Sequence, residues 1–285
     1  MERFEREGLI FDVVDAGPSD GEPVVLLHGF PQDSSSWTAV SQALTQAGYR
    51  TLAPDQRGYS PGARPPGRQD YTDRHLVDDV WALLDAAGLD QAHVVGHDWG
   101  GAVAWATAAD GPDRVTSVSV FSVPHPSAVL AAMRRGQAWR SWYFPVFLVP
   151  GLAEWLLEPG SSRWDWFMQG LPPERVRHYA DRMSQPGAFT AALNWYRAIP
   201  AYARRPVAGA GMIASPTLFA WGSKDPTTTP AAAESTRDYV SGPYTYRVLE
   251  DATHWLPETR SSEVADLLLA HLSAAHPAGS TEADV

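Results

Sequence analysis

The sequence contains no cysteine, which excludes disulfides, thiolate metal sites and a cysteine nucleophile together. It also lacks any apolar run of about 18 residues, the length that a membrane-spanning helix needs. The first residues, MERFEREGLIFDVVD, are charged and carry neither the apolar run nor the small-residue cleavage site of a signal peptide. From these absences we expect a cytoplasmic protein.

Basic residues are scarce relative to acidic ones: the sequence has 22 Lys and Arg residues and 33 Asp and Glu residues, which gives a formal net charge of −11. Nucleic acids and anionic membrane surfaces would repel such a chain, so neither is expected as a partner. No two histidines have metal-ligand spacing with a carboxylate, and we predict no metal site. A hydrophobic content of 44% is ample for a packed core.

The two ends of the chain differ in pattern from the middle. Short apolar runs alternate with helical patterns up to about residue 124, and this alternation resumes with PTLFAWGSKD at residues 216–225. Such alternation is typical of an α/β protein with a mostly parallel central sheet flanked by helices. Residues 125–210 are helical in pattern, contain six of the twelve tryptophans and show no clear strand. We therefore predict a core formed by residues 1–124 and 211–285, a helical lid over 125–210, and a frayed tail from about residue 275.

The segment VVGHDWGGAV (94–103) has the outline of a nucleophile elbow, G-x-Nuc-x-G, between a strand and a helix. Gly96 and Gly100 omit side chains that would collide in the tight turn, and the helix N-terminus stabilises negative charge there. The central residue is Asp98, where many hydrolases have Ser. An aspartate here could also be a simple helix N-cap, so partners further along the chain decide the interpretation.

An acid and a histidine should follow the nucleophile in that order. Asp225 comes after the apolar run of FAWGSKD, and His254 follows the last predicted strand in EDATHWLP, so the order is satisfied. Asp225 precedes a proline and could instead start a turn. The early segment LLHGFPQ (26–32) is the expected source of an oxyanion hole, with the backbone N–H groups of Phe30 and Trp99 as donors. Pro31 favours a cis peptide bond in that loop.

Six motifs in order resemble the epoxide hydrolase branch of the α/β-hydrolase family, over about residues 9–272. They are HGFPQ, DQRGYS, GHDWGG, VPHPSA, WGSKD and THWLP. Each motif is modest alone, but the ordered set is specific. The resemblance implies an α/β-hydrolase fold with an inserted helical lid. It also implies an enzyme that acts without a cofactor.

The carboxylate nucleophile points to substitution at a saturated carbon. A serine attacking such a carbon would form an ether, which water does not readily cleave, whereas Asp98 would form an alkyl ester with a carbonyl group that water can attack. His254 is then needed only to activate water in the second step, because Asp is ionised near neutral pH. Epoxide opening and carbon–halogen cleavage both meet this description.

The leaving group distinguishes these two reactions. An epoxide oxygen leaves as a strong base that needs an acidic O–H donor, whereas a halide needs only weak N–H donors. Tyr143 and Tyr196 match the two lid tyrosines that donate to the epoxide oxygen in the family that the chain resembles. Tyr179 and Tyr202 have no such match and are expected to pack. Trp99 does not discriminate, because related dehalogenases also have Trp after the nucleophile.

We therefore predict an epoxide hydrolase, a hydrolase acting on ether bonds, that converts a small hydrophobic epoxide and water to a vicinal diol through an Asp98 ester. The predicted substrate-binding residues are Phe30, Pro31, Trp99, Trp195 and Trp255. A haloalkane or haloacid dehalogenase with the same nucleophile is the main alternative, and a non-catalytic small-molecule receptor and an esterase of this fold are further ones. A homodimer remains open.

Overall fold

The computed structural model describes residues 1–202 and 211–275. The side chain of Tyr202, which was predicted to pack, lies outside the described part, as do residues 203–210 and 276–285. The predicted end of the lid and the predicted frayed tail therefore stay predictions.

Within the described residues, eight strands form one sheet. They are β1 (Arg3–Arg6), β2 (Leu9–Ala16), β3 (Pro23–Leu27), β4 (Arg50–Pro54), β5 (Ala92–His97), β6 (Val115–Phe121), β7 (Thr217–Gly222) and β8 (Tyr244–Leu249). Their order is β1-β2-β4-β3-β5-β6-β7-β8, with β2 antiparallel to both of its neighbours and the other pairs parallel. The predicted mostly parallel sheet is confirmed. Strand β1 was not predicted, because RFER is charged and has a single buried apolar residue, Phe4.

The described helices include a long series between β6 and β7. The α-helices are α1 (Thr38–Gln46), α2 (Asp73–Ala86), α3 (Trp99–Asp110), α4 (Pro126–Ala132), α5 (Gln137–Arg140), α6 (Phe144–Leu148), α7 (Leu152–Leu156), α8 (Ser162–Phe167), α9 (Pro173–Met183), α10 (Ala188–Tyr202), α11 (Pro230–Ser235), α12 (Leu256–Thr259) and α13 (Ser261–Ala275). Short 3-10 turns cover Ser34–Trp37, Arg68–Tyr71, Pro112–Arg114, Met133–Arg135 and Thr236–Tyr239. Helices α4 to α10 are called the lid below.

Both faces of the central strands β3, β5 and β7 are buried, as the continuous apolar run of β3 indicates. Val25 and Leu27 point into the core under α2, α3 and the lid, whereas Val24 and Leu26 point into the core under α1 and α13. This alternation follows from the two-residue period of a strand, and helices on both sides explain why neither set is polar. None of the helices described here has the length and apolar character needed to cross a bilayer.

Candidate active site

A strained turn joins β5 to α3 and exposes Asp98 above the sheet. Asp98 has a φ of 50°, in the region that side chains rarely adopt. A Cβ on Gly96 would lie 2.1 Å from the Gly100 carbonyl oxygen, and one on Gly100 would lie 2.1 Å from that of Leu27. Only glycine fits at either position, so the two glycines let the chain turn sharply at Asp98.

The Asp98 carboxylate faces the loop after β3 rather than its own helix. Its side chain makes no capping hydrogen bond to α3. Instead, the Phe30 backbone N–H donates to Asp98 Oδ1 at 2.7 Å. The loop approaches closely because residue 29 is glycine: a Cβ there would lie 2.4 Å from the Asp98 Cβ. The Phe30–Pro31 peptide bond is cis, as expected from the sequence.

His254 lies between two carboxylates. Its Nδ1 is 2.8 Å from Asp225 Oδ2, and its Nε2 is 3.5 Å from Asp98 Oδ2. Asp98, Asp225 and His254 each follow the carboxyl end of a parallel strand, the edge of an open α/β sheet where ligands bind. The Asp225 carboxylate also accepts hydrogen bonds from Thr227 N–H and Oγ1, both at 2.7 Å. Asp225 therefore both begins a turn and contacts His254, so the two roles considered for it from the sequence are compatible.

Burial and charge set the protonation states of this group. Burial alone would lower the pKa of His254, but Asp225 and Asp98 outweigh it and raise that pKa to about 10. Burial would raise the pKa of Asp98, but the hydrogen bond and positive charge of His254 outweigh it, so the pKa is lowered. In the free protein at neutral pH, an imidazolium therefore lies between two carboxylates.

Two lid phenols face Asp98 across a cavity of about 520 Å³. The cavity is lined by the residues already predicted for the site, Phe30, Asp98, Tyr143, Tyr196, His254 and Trp255. The rest of its lining consists of Arg140, Trp142, Trp166, Phe167, Gln169, Gly170, Lys224, Pro226, Thr227 and Thr253. Burial, reinforced by the nearby Asp98 carboxylate, raises the pKa of Tyr143 and of Tyr196. Both phenols are therefore neutral at pH 7 and can donate a hydrogen bond into the cavity.

Of the five residues predicted to bind substrate, two line this cavity. Phe30 and Trp255 line it, and the Trp255 indole N–H is held by the Gln169 carbonyl oxygen at 3.0 Å. Trp99 instead lines a smaller adjoining space with Asp98, and its ring packs edge-on against Tyr196 at 4.9 Å. Pro31 and Trp195 are not among the described residues that line the main cavity. Trp195 donates to the Arg57 carbonyl oxygen and packs behind Trp99.

Some residues at the site were given no role from the sequence. Thr227, two positions after Asp225, had a usable signal, because an Asp side chain in a turn commonly accepts from the backbone N–H two residues on. Trp142, Trp166 and Phe167 had none, since helical spacing does not tell a cavity wall from packing. The rings of His28 and His97 contact neighbouring loops: His28 accepts from Gln56 N–H, and His97 contacts Gln32. Among the described residues, no three His, Asp or Glu side chains are grouped to hold a metal ion.

Comparisons with known proteins agree with this geometry. A family model described as alpha/beta hydrolase fold matches residues 22–261. Epoxide hydrolase A of Mycobacterium tuberculosis is 33% identical, over 94% of this chain and 96% of that protein. The AB hydrolase superfamily protein YfhM of Bacillus subtilis is 32% identical, over 93% and 95%. The crystal structure of epoxide hydrolase A from Mycobacterium thermoresistibile is 30% identical, with a TM-score of 0.83 over 95% of this chain and 97% of that one.

Proposed function

The chain belongs to the α/β-hydrolase family, in the group of its epoxide hydrolases, and from that premise we propose that it adds water to an epoxide and releases a vicinal diol. The observation that carries the proposal is an Asp at the elbow with two phenols opposite it. A carboxylate forms a hydrolysable ester with a saturated carbon, and a phenol can protonate an alkoxide. The apolar side chains around the cavity favour a small hydrophobic substrate.

In the first step, Asp98 Oδ2 attacks an epoxide carbon. Oδ1 is engaged by the Phe30 N–H at 2.7 Å, whereas the nearest group to Oδ2 on His254 is Nε2 at 3.5 Å, so Oδ2 is the better-placed nucleophilic oxygen. The new C–O bond forms as the ring C–O bond breaks at the less hindered or more activated carbon. Tyr143 or Tyr196 gives its phenolic proton to the departing oxygen, while the other phenol donates a hydrogen bond. The products are an Asp98 alkyl ester and a tyrosinate.

In the second step, His254 activates water. Once Asp98 is an ester it has lost its charge, so one of the two carboxylates that raise the pKa of His254 is gone. The imidazolium proton can then return to the tyrosinate through solvent, and neutral His254, oriented by Asp225, takes a proton from water.

Water attacks the ester carbonyl carbon, and negative charge develops on Oδ1. The N–H groups of Phe30 and Trp99 stabilise that oxyanion. The Cγ–Oδ2 bond then breaks as the His254 imidazolium gives its proton to Oδ2, so Oδ2 leaves as a hydroxyl group of the diol and an oxygen from water replaces it on Asp98. The carboxylic acid formed on Asp98 then returns a proton to His254, which restores the carboxylate and the imidazolium. In this scheme Thr227 keeps Asp225 aligned with His254.

Trapping the ester tests the proposal. His254→Gln protein is incubated with styrene oxide, cyclohexene oxide and trans-stilbene oxide, and intact mass is measured. We expect an adduct equal to the mass of one epoxide, located on Asp98 by peptide mapping, and no adduct on Asp98→Asn protein. If no epoxide gives an adduct, or the adduct lies elsewhere, the proposed chemistry is wrong.

Isotope labelling tests the covalent step separately. In a single turnover in heavy-oxygen water, we expect the label to enter Asp98 and the diol to carry unlabelled Oδ2. Label in the diol alone would mean direct attack by water and would contradict the ester.

The alternatives have their own assays. Halide release from 1-bromobutane tests the dehalogenase, turnover of aryl acetates tests the esterase, and tight binding without turnover would indicate a receptor. The lid boundaries, a cytoplasmic location and the homodimer left open by the sequence stay predictions. Sedimentation of the purified protein measures the oligomeric state.

A further inference from the structure

A buried glutamine connects the lid to the backbone of the catalytic histidine. Gln32 is fully buried, and its Nε2 donates to Glu258 Oε2 at 2.5 Å. Its Oε1 lies 2.9 Å from His97 Nδ1. The other ring nitrogen of His97, Nε2, lies 2.8 Å from the His254 carbonyl oxygen.

The lid end of this connection is an ion pair. Glu258, in α12, has a side chain only 6% exposed, and its Oε1 accepts from Arg175 Nε at 2.5 Å and from the Tyr179 hydroxyl at 2.9 Å. Both partners lie on α9. The position of the Glu258 carboxylate thus depends on how α9 is seated.

The Gln32 amide has little freedom to turn. Its nitrogen must face the Glu258 carboxylate, which only accepts hydrogen bonds, so its oxygen faces His97. The His97 ring therefore lies between two oxygen acceptors, Gln32 Oε1 and the His254 carbonyl oxygen. Burial lowers the pKa of His97 to about 4, so the neutral ring donates to one of these oxygens and packs against the other. A shift at either end must displace the ring, since the site is close-packed.

The His97 ring is one of three groups at the His254 carbonyl oxygen. That oxygen accepts from Ser122 Oγ at 2.8 Å and from the Leu256 backbone N–H at 2.9 Å, and it contacts His97, whose ring centroid is 4.9 Å from that of His254. The His254 ring must in turn stay within reach of both Asp225 and the Asp98 ester. A displacement of about 1 Å in a catalytic group can cost a hundredfold in rate.

We propose that Gln32 and His97 are positioning residues for the water-activating step, and that they make this step depend on the seating of α9 through Glu258 and Arg175. The proposal rests on the function proposed above. It predicts an effect on ester hydrolysis, which uses His254, and not on ester formation, which Asp98 and the two tyrosines carry out.

Helix α9 provides a matched control. Arg175 and Arg182 lie on the same helix, their side chains are 24% and 23% exposed, and both form ion pairs with the core. Arg182 pairs with Asp33 and Asp55, whereas Arg175 pairs with Glu258. Replacing either by Met removes one lid–core cation, but only Arg175→Met removes the cation paired with the carboxylate that Gln32 contacts; the Tyr179 hydroxyl still donates to that carboxylate.

The experiment separates the two steps by rapid quench with styrene oxide and intact-mass measurement of free and alkylated protein. For Gln32→Leu we expect ester hydrolysis to slow about tenfold and ester formation to stay within about twofold, so that ester accumulates. Arg175→Met should show the same pattern with a smaller loss, about threefold, and Arg175→Lys should recover part of it. Arg182→Met and Gln185→Leu, which removes a different lid–core glutamine contact to Arg64, should leave both rates near wild type.

Equal slowing of both steps, or the same effect from Arg175→Met and Arg182→Met, would overturn the proposal. Thermal unfolding of each variant identifies losses that come from instability.

A second readout does not depend on turnover. In protein with ¹⁵N-labelled histidine, the ring signals of His254 should shift in Arg175→Met and not in Arg182→Met. If wild-type protein forms no ester, the proposed function fails, and these NMR signals still decide the positioning role. Unchanged His254 signals in both variants would overturn it.

Discussion

The core half and the lid half of the site are built in different ways. Asp98, Asp225 and His254 each follow a parallel strand, and backbone geometry fixes them to within hydrogen-bond distance of one another or of the loop after β3. The two lid phenols, in contrast, do not follow the ends of strands. Tyr196 lies in α10 and Tyr143 just before the five-residue helix α6, and both are held by aromatic packing, for example against Phe147 at 4.8 and 5.4 Å.

The two halves of the site therefore depend on the sequence in different ways. The core half depends on a few positions where one residue type is obligatory, because a Cβ or a lost carboxylate cannot be accommodated. The lid half depends on many apolar contacts, each replaceable by side chains of similar volume. The nucleophile, its acid and its histidine therefore lie in the core, and, apart from the two phenols, the lid should determine substrate choice.

Removing both lid phenols should give the largest effect. We expect Tyr143→Phe with Tyr196→Phe to slow ester formation about 10²–10³-fold, because the departing oxygen then lacks an acid, while hydrolysis of any ester formed is much less affected. Rapid-quench kinetics with styrene oxide measure both steps. Tyr71→Phe is the control, since it removes a buried phenol that donates to the Pro65 carbonyl oxygen in the core. Full activity in the double variant would contradict the assignment and favour the dehalogenase alternative.

Glycine substitutions compare the two halves through stability. Gly100→Ala should lower the free energy of unfolding by about 3 kcal/mol and slow ester formation, because its Cβ would overlap the Leu27 carbonyl. Gly160, in the lid, has a φ of +83° and nothing within 4 Å of the place that an added Cβ would take, so Gly160→Ala should cost only about 1 kcal/mol through backbone strain. Denaturant unfolding and ester trapping measure both. Similar losses at the two positions would contradict the difference between the core and the lid.

The sequence predicted the core half well because its determinants are local. Strands with both faces buried appear as continuous apolar runs, and Gly96 and Gly100 around Asp98 identify the elbow without any knowledge of distant contacts. The order of Asp225 and His254 then suffices to locate both at the same edge of the sheet. Strand β1 was missed because it is stabilised by pairing with β2 rather than by apolar residues of its own.

The lid half was less predictable because its contacts are distant in sequence. The family resemblance supplied Tyr143 and Tyr196, but nothing local distinguishes Trp255, which lines the cavity, from Trp195, which packs behind Trp99. The connection through Gln32 was also invisible, since it joins residues that are 65 and 226 positions apart from it. Such contacts follow only from the packed structure.

The proton held by His254 should make stability depend on pH. The pKa of His254 rises from the ordinary 6.5 to about 10 on folding, so between these values the folded protein holds a proton that the unfolded chain has released. This contribution is complete below pH 6.5 and is lost as pH rises towards 10, at up to about 1.4 kcal/mol per pH unit. Denaturant unfolding at pH 7, 8 and 9 should show the advantage of wild type over His254→Gln shrinking. The lid phenols stay neutral over this range, so the Tyr143→Phe, Tyr196→Phe double variant should lose stability with rising pH as steeply as wild type does. Parallel plots of the free energy of unfolding against pH for wild type and His254→Gln would contradict the positive charge assigned to His254.

The smallest effect should come from the outer surface of the lid, where tryptophans do not all pack. Trp139 is 83% exposed, whereas Trp164 is fully buried and donates to the Val176 carbonyl oxygen. Replacing Trp139 by Ser should change the free energy of unfolding by less than about 0.5 kcal/mol and leave both kinetic steps unaltered, because the side chain loses little burial. Thermal unfolding at two protein concentrations provides the measurement. A loss above about 1 kcal/mol that grows with protein concentration would mean that a second copy covers Trp139 in solution, since only association makes stability depend on concentration in this way. In that case association with a second copy would limit which residues the lid surface tolerates. Substitutions there would then affect association rather than the choice of substrate.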